Sequence, residues 1–258
     1  MSVSSRMPAM FIGHGNPMNA ISENQYRDTW LQLGASLPKP QAVLCISAHW
    51  QTHGTQVCSV EQPETIHDFG GFPQELFDQR YPAPGAPSVA KMICQTFAHG
   101  KITPSTEWGL DHGAWTILQS LFPQADVPVL QLSLDFYLNF RAHFDLAKQL
   151  APLREQGIML LGSGNIVHNL RILNLNGEKS DWAIAFDAYI KNALLAGEDE
   201  ALLNIEQAGE AAKLAVPTPE HYLPLLYIAA ARQADDNMRF LTESFDLGTL
   251  SMRSVIYR

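Results

Sequence analysis

Cysteine is scarce in this sequence: Cys45, Cys58 and Cys94 are the only three in 258 residues, and no two share a C-x-x-C spacing. A thiolate metal site and a disulfide framework are both excluded, and the apolar neighbours of all three mark them as small core residues. An odd count without a secretory leader points to a reducing compartment. Charge is also thin, and the 26 acidic residues outnumber the 17 Lys and Arg to give a formal net charge of -9. That sign is wrong for a broad grip on nucleic acid or an anionic membrane, so neither is expected as a partner. Long apolar runs are missing too. The longest, 222–231, contains Pro224 and falls far short of the roughly 20 residues of a membrane span. Residues 1–6 carry one basic side chain and lead into a short, glycine-bounded run at 7–13, which does not make a signal sequence. A cytoplasmic protein is expected.

With 46% hydrophobic residues the chain has enough apolar side chain for a well-formed core, which excludes disorder as its main state. No repeat, charge block or low-complexity linker divides it, so 1–258 reads as one domain. Short apolar runs at 9–13, 42–47, 127–133 and 158–162 have the character of buried strands. They alternate with helix-like spacing at 23–33, 86–98, 114–121, 140–153 and 182–195, and two further runs, 238–243 and 250–257, read as extra edge strands. The expected class is α/β, with a largely parallel or mixed central sheet and helices on both faces. In such folds ligands bind in the crevice at the carboxyl ends of the parallel strands.

What the sequence has in quantity is histidine, nine residues, so metal chemistry has to come from imidazole. Three of them follow strand ends. His14 lies between Gly13 and Gly15 after the first run, His49 comes just past 42–47, and His168 follows Gly162-Ser163-Gly164-Asn165. A fourth, His221, sits in Pro217-Thr218-Pro219-Glu220-His221. That segment reads as a threonine N-cap, a proline at the first helical position and a histidine in the first turn, where the helix dipole favours the neutral, metal-binding imidazole. His112 opens another helix beside Asp111, a candidate orienting carboxylate. His67 lies in the Gly- and aromatic-rich loop Ile66-His67-Asp68-Phe69-Gly70-Gly71-Phe72-Pro73, the kind that covers a pocket. His53, His99 and His143 read as exposed or hydrogen-bonded residues without a site. No H-E-x-x-H, G-x-G-x-x-G, G-x-S-x-G or Walker A lysine is present. An imidazole-rich site suits one divalent metal per chain, Zn(II) or Fe(II). Zinc would serve a hydrolase, and iron with open positions would make oxygen chemistry available.

Seven motifs, in order, carry a resemblance. They are Gly13-His14-Gly15-Asn16-Pro17-Met18; Ser47-Ala48-His49-Trp50; the 67–73 loop; Tyr81-Pro82-Ala83-Pro84-Gly85; Gly109-Leu110-Asp111-His112-Gly113-Ala114-Trp115; Gly162-Ser163-Gly164-Asn165-Ile166-Val167-His168-Asn169-Leu170; and Thr218-Pro219-Glu220-His221-Tyr222-Leu223-Pro224. Together they resemble the 4,5-DOPA extradiol dioxygenase family, the LigB-like class III ring-cleaving enzymes, along nearly the whole chain. The resemblance implies a LigB-like fold and one catalytic domain. It implies a divalent metal held by His14, His49 and His221, with His168 as acid/base or fourth ligand and His112 as a second catalytic histidine. His67 and Asp111 fall on the substrate side. The wider class holds its metal with two histidines and a glutamate. This chain has His221 in that place with Glu220 beside it, which favours zinc more than the class pattern does. The implied reaction is extradiol opening of a catechol such as 4,5-DOPA with O2, giving a semialdehyde, in a monomer or small homo-oligomer. A zinc hydrolase and a non-catalytic metal- or ligand-binding protein are the other readings of the same histidines.

Overall fold

A computed structural model describes residues 6–97, 100–174 and 176–258. The expectations that touch residues 1–5, Ala98 and His99 lie outside them. The strands are β1 (Ala9–Gly13), β2 (Ala42–Thr52), β3 (Thr55–Cys58), β4 (Ile102–Ser105), β5 (Val129–Asp135), β6 (Ile158–Gly164), β7 (Met238–Thr242), β8 (Phe245–Asp246), β9 (Leu250–Ser251) and β10 (Ser254–Tyr257). Eight of them form one mixed sheet in the order β4-β3-β5-β2-β6-β1-β10-β7. The four central neighbours, β5, β2, β6 and β1, are mutually parallel. All four were legible because they are buried on both faces and therefore read as apolar runs.

Burial on both faces is visible residue by residue. Ala9 and Phe11, Ala42, Leu44 and Ile46, and Ile158 and Leu160 face one core. Their alternates Met10 and Ile12, Val43 and Cys45, and Met159 and Leu161 face the other. The second face is covered by α1 (Gln25–Ser36) and by α4 (His112–Leu121). Over the first face lie α3 (Pro87–Thr96), α5 (Phe140–Leu150), α6 (Asp181–Ala196) and α9 (Leu223–Ala230). The helices α2 (Gln74–Phe77), α7 (Asp199–Leu203) and α8 (Glu210–Ala215) are shorter. The apolar run at 222–231 thus becomes a core helix, every residue of α9 being buried. Among the described residues no helix is long and apolar enough to cross a membrane.

The sheet edges depart from the central pattern. β3 runs antiparallel to β5 and parallel to β4, and both went unseen because each has four residues and β4 contains Pro104, as edge strands often do. The predicted strand at 250–257 is two strands broken at Met252-Arg253, with β10 inserted antiparallel between β1 and β7. The buried Arg154 guanidinium joins three parts of the chain. It donates to Met7 O at 2.8 Å, Ala231 O at 2.8 Å and Tyr257 O at 3.3 Å, and pairs with Asp236 at 2.6 Å.

Candidate metal centre

Each histidine of the centre arrives on a carboxyl-terminal end of the sheet or on the chain that crosses it. β1 delivers His14, whose backbone N–H donates to Gly164 O at 3.0 Å, so the loops after β1 and β6 leave the sheet together. β2 runs further than expected and carries His49 inside the strand. The pairing with β5 advances from Ile46↔Leu132 to Gln51↔Leu134, so β2 has extra residues between those two points. This bulge lifts Ser47 to Trp50 out of register, the usual means of re-aiming a side chain beside a site. His112 is the first residue of α4, capped by Asp111, whose side chain accepts from Ala114 N.

His221 needs a correction. The predicted helix start at Thr218 and Pro219 is a turn; α9 begins at Leu223, and Pro224 is the proline of its first turn. The Thr218 hydroxyl donates to Glu220 Oε1 at 2.8 Å and caps nothing. His221 is held by its own carbonyl, which accepts from Asn165 N at 2.9 Å. A Cβ at Gly164 would lie 2.1 Å from that carbonyl oxygen, so only glycine permits the approach.

The structure brings together all five histidines that the sequence singled out for chemistry. The ring of His14 stands 5.1 Å from His49, 5.6 Å from His112 and 5.3 Å from His221, centroid to centroid. His49 lies 3.9 Å from His112 and 5.1 Å from His221, while His168 stacks on His221. The donor atoms of His14, His49 and His112 lie within 4.8 Å of one another, as do those of His168, Glu220 and His221. His112, set apart from the ligands on the sequence, therefore has a donor atom as near to His14 and His49 as a ligand would be.

The outer nitrogens of these rings are engaged by the protein. Ser163 Oγ donates to Gly113 O at 2.5 Å, so it accepts the Nδ1–H of His14 at 2.9 Å. His221 Nδ1 lies 3.1 Å from Glu220 Oε1, which can only accept. Asp68 stands near two rings, with Oδ1 3.0 Å from His112 Nδ1 and Oδ2 3.4 Å from His49 Nδ1. The first of these is close but out of line for an N–H bond, and the aligned bond to Oδ1 comes from His112 N at 2.9 Å. A proton on Nδ1 of His14 and His221 leaves their Nε2 atoms as bare lone pairs, and the carboxylate beside His49 Nδ1 favours the same tautomer there. His14 Nε2 and His49 Nε2 then face one another at 3.3 Å. Two lone pairs aimed together need a cation between them, and all-imidazole donors fit a divalent ion of the zinc or ferrous type.

Burial keeps four of the rings, His14, His49, His168 and His221, neutral. It pushes His14 and His221 well below the usual imidazole range, with the neighbouring histidines adding to the effect. His49 is lowered first by burial and then by His112, against the opposing pull of Asp68 and Glu220. His168 drops to about 4, again through burial, which Glu220 partly offsets. Burial would raise the Asp68 carboxyl, but its contacts with His112 and His49 outweigh that and hold it low.

Asp111 does not orient His112. It is fully buried, and its carboxylate accepts from Ser47 Oγ at 2.7 Å, Gln131 Nε2 at 2.7 Å and Trp108 Nε1 at 3.3 Å. With its oxygens so occupied, Asp111 supports the bulged segment and α4 from beneath. His67 stays outside the cluster, its Nε2 3.1 Å from Gln79 O and its ring among Phe69, Phe77 and Trp115. The residue of that loop that reaches the histidines is its neighbour Asp68, which sequence reasoning missed; a carboxylate beside glycines and aromatics was the only local signal. His53 is exposed against Phe136 and Tyr137, and His143 is buried with Nδ1 3.0 Å from the Tyr227 hydroxyl. Cys45 and Cys58 are buried, Cys94 half-buried, and all three are free.

The chain also matches known proteins along almost its whole length. Residues 9–256 match the model of the catalytic LigB subunit of aromatic ring-opening dioxygenase. The chain is 46% identical to a 4,5-DOPA dioxygenase extradiol of Escherichia coli (strain K12), over 98% of this chain and 95% of that protein. It is 37% identical to the 4,5-DOPA dioxygenase extradiol of Beta vulgaris, over 95% of this chain and 94% of that one. The crystal structure of an uncharacterized protein from Escherichia coli K12 superposes with a TM-score of 0.85 at 41% identity, covering 97% of this chain and 99% of the other. By that match and that identity along almost its full length, the chain belongs to the LigB family of aromatic ring-opening dioxygenases.

Proposed function

We propose that this ring-cleaving dioxygenase opens a small catechol of the 4,5-DOPA type with O2 at one divalent metal held by His14, His49 and His221, with Fe(II) the ion that the oxygen chemistry calls for, since Zn(II) has no redox chemistry of its own. The observation that carries the reading is the 3.3 Å approach of His14 Nε2 to His49 Nε2, with the His221 ring 5.3 and 5.1 Å from theirs. The bound ion supplies Lewis acidity and open positions for the substrate oxygens and O2. The substrate class comes from the relatives, whose name is 4,5-DOPA dioxygenase extradiol.

The protein's own groups divide the remaining work. His168, lowered to about 4, is neutral at physiological pH and offers a ring nitrogen that takes a phenolic proton. Stacking on His221 limits where that nitrogen can go. His112, whose ring lies 3.9 Å from that of His49, can hold or return a proton once the ring has begun to open. Ser163 and Glu220 keep the outer nitrogens of His14 and His221 occupied, which frees the inner ones. The Phe69, Phe72 and Phe77 cluster beside His112 gives the crevice an apolar wall suited to an aromatic ring.

The test is oxygen uptake by iron-loaded protein, prepared anaerobically with its metal content measured, on addition of L-DOPA, caffeate or protocatechuate. A yellow product formed with one O2 consumed per catechol supports the reading. No uptake with any catechol, iron being verified in the protein, overturns it. A hydrolase or a non-catalytic binder built on the same histidines consumes no oxygen under these conditions.

A further inference from the structure

Asp68 stands against two histidines of the cluster, His49 and His112, and no part of the reading above depends on it as a ligand. Its loop is firmly seated. Ile66 N donates to Leu110 O at 2.7 Å and Leu110 N to Glu64 O at 2.7 Å, while Trp115 Nε1 donates to Ile66 O at 2.9 Å. Phe69 packs edge-on against His112 at 5.6 Å. The carboxylate itself is anchored at the helix start, Oδ1 accepting the backbone N–H of His112 at 2.9 Å. Its side chain is 18% exposed, so solvent screens it only in part.

We infer that Asp68 is a shared positioning residue for the metal: one carboxylate that keeps the proton of both His49 and His112 on Nδ1 and so turns both Nε2 lone pairs toward one point. The inference rests on the reading that this cluster holds a divalent metal. A negative oxygen 3.0 to 3.4 Å from an imidazole nitrogen favours the tautomer with its proton on that side. The two contacts differ in kind. Oδ1 is fixed by the aligned bond from His112 N, whereas Oδ2 has His49 Nδ1 as its neighbour.

That asymmetry makes Asp68→Asn informative. The amide oxygen can keep the bond from His112 N, which leaves the NH2 group facing His49 Nδ1. A donor there requires Nδ1 of His49 to accept, which moves the ring proton to Nε2, the nitrogen needed for the metal.

The experiment measures Zn(II) affinity by chelator competition for wild type and Asp68→Asn, and reads histidine tautomers by 15N NMR of the zinc-loaded proteins. Zinc binding about 10- to 100-fold weaker in the variant, with Nδ1–H on His49 and His112 in the wild type, is the expected result. Equal affinity in a folded variant overturns the inference while leaving the metal reading intact. A variant that does not fold transfers the decision to the wild-type spectrum, where an unprotonated His49 Nδ1 overturns it. A wild type that takes up no zinc or iron overturns the metal reading and this inference together.

Discussion

The imidazole of His168 lies flat on that of His221, with ring centroids 3.4 Å apart and planes 6° from parallel. A face-to-face stack suits two neutral rings, and burial keeps both neutral. It also separates two roles in adjacent space. His221 has its Nδ1 tied to Glu220, while His168 has only its backbone tied, its N–H donating to Ala215 O at 2.9 Å.

Replacement of His168 by Ala is therefore expected to lower kcat by about 10² to 10⁴, the usual worth of a positioned acid/base, with metal content nearly unchanged. Metal analysis beside steady-state oxygen uptake checks it. A parallel loss of metal would make His168 a ligand.

Gly113, like Gly164, is a position where the cluster tolerates no added atom. A Cβ there would lie 2.5 Å from Ser47 Oγ, 2.9 Å from His49 Cδ2 and 3.2 Å from Ser163 Oγ. Alanine is the better helix former by about 1 kcal/mol, but overpacking a tight site costs about 1 to 3 kcal/mol, and the clash involves groups fixed by hydrogen bonds. Gly113→Ala should lose stability in urea unfolding and hold metal more weakly, because His49 is displaced. A more stable variant with unchanged metal affinity would contradict this.

His143 offers a pH test away from the metal. Burial lowers it to about 4, against the opposing influence of Asp135, while the unfolded chain protonates it near 6.5. As pH falls below 6.5 the unfolded state gains a proton that the folded state refuses, so stability is lost until about pH 4. The slope from this one group approaches about 1.4 kcal/mol per pH unit, for a total on the order of 3 kcal/mol. His143→Phe removes that slope along with the bond to Tyr227, whose loss is a constant offset. Unfolding free energies of the two proteins from pH 7 to 4 should converge; parallel curves would refute the assignment.

Truncation of Arg154 leaves Asp236 and three backbone carbonyls without their donor in the interior. Breaking a buried pair from one side costs about 3 to 5 kcal/mol, and the remaining contact of Arg6 with Asp236 at 3.1 Å places Arg154→Ala toward the lower figure. Urea denaturation measures it, and a loss under about 1 kcal/mol would mean that the pair behaves as a surface one.

What could be read from the sequence followed from locality. His14, His49 and His168 were visible because a histidine beside a strand end shows in a window of a few residues, and the apolar central strands mark those ends. His221 was found as a site residue but given the wrong local structure, since Thr218 and Pro219 satisfy the rules for a helix start while the chain turns there instead. The groups that aim the rings were hidden. Ser163 meets His14 from 149 positions away, Asp111 meets Ser47 from 64, and Asp68 meets the backbone of His112 from 44. No periodicity records such pairings, which exist only once the sheet has assembled. The strands β3 and β4 failed for another reason, being too short for an alternating pattern to declare itself.

The last strand of the chain, paired beside the first, has a consequence for how the protein is made. β10 pairs with β1, and the hydroxyl of Ser254 accepts from Gly13 N at 3.0 Å, one residue before His14. Asn165, which also accepts from Gly15 N, is held in turn by Ser251 O at 2.8 Å. The first histidine to leave the ribosome thus receives its final seat only after Ser254, 241 positions beyond its neighbour Gly13, has emerged. On the reading proposed above, metal is expected to load only once β10 is in place, and a ribosome-stalled fragment lacking β10 would present its histidines without the frame that brings them together.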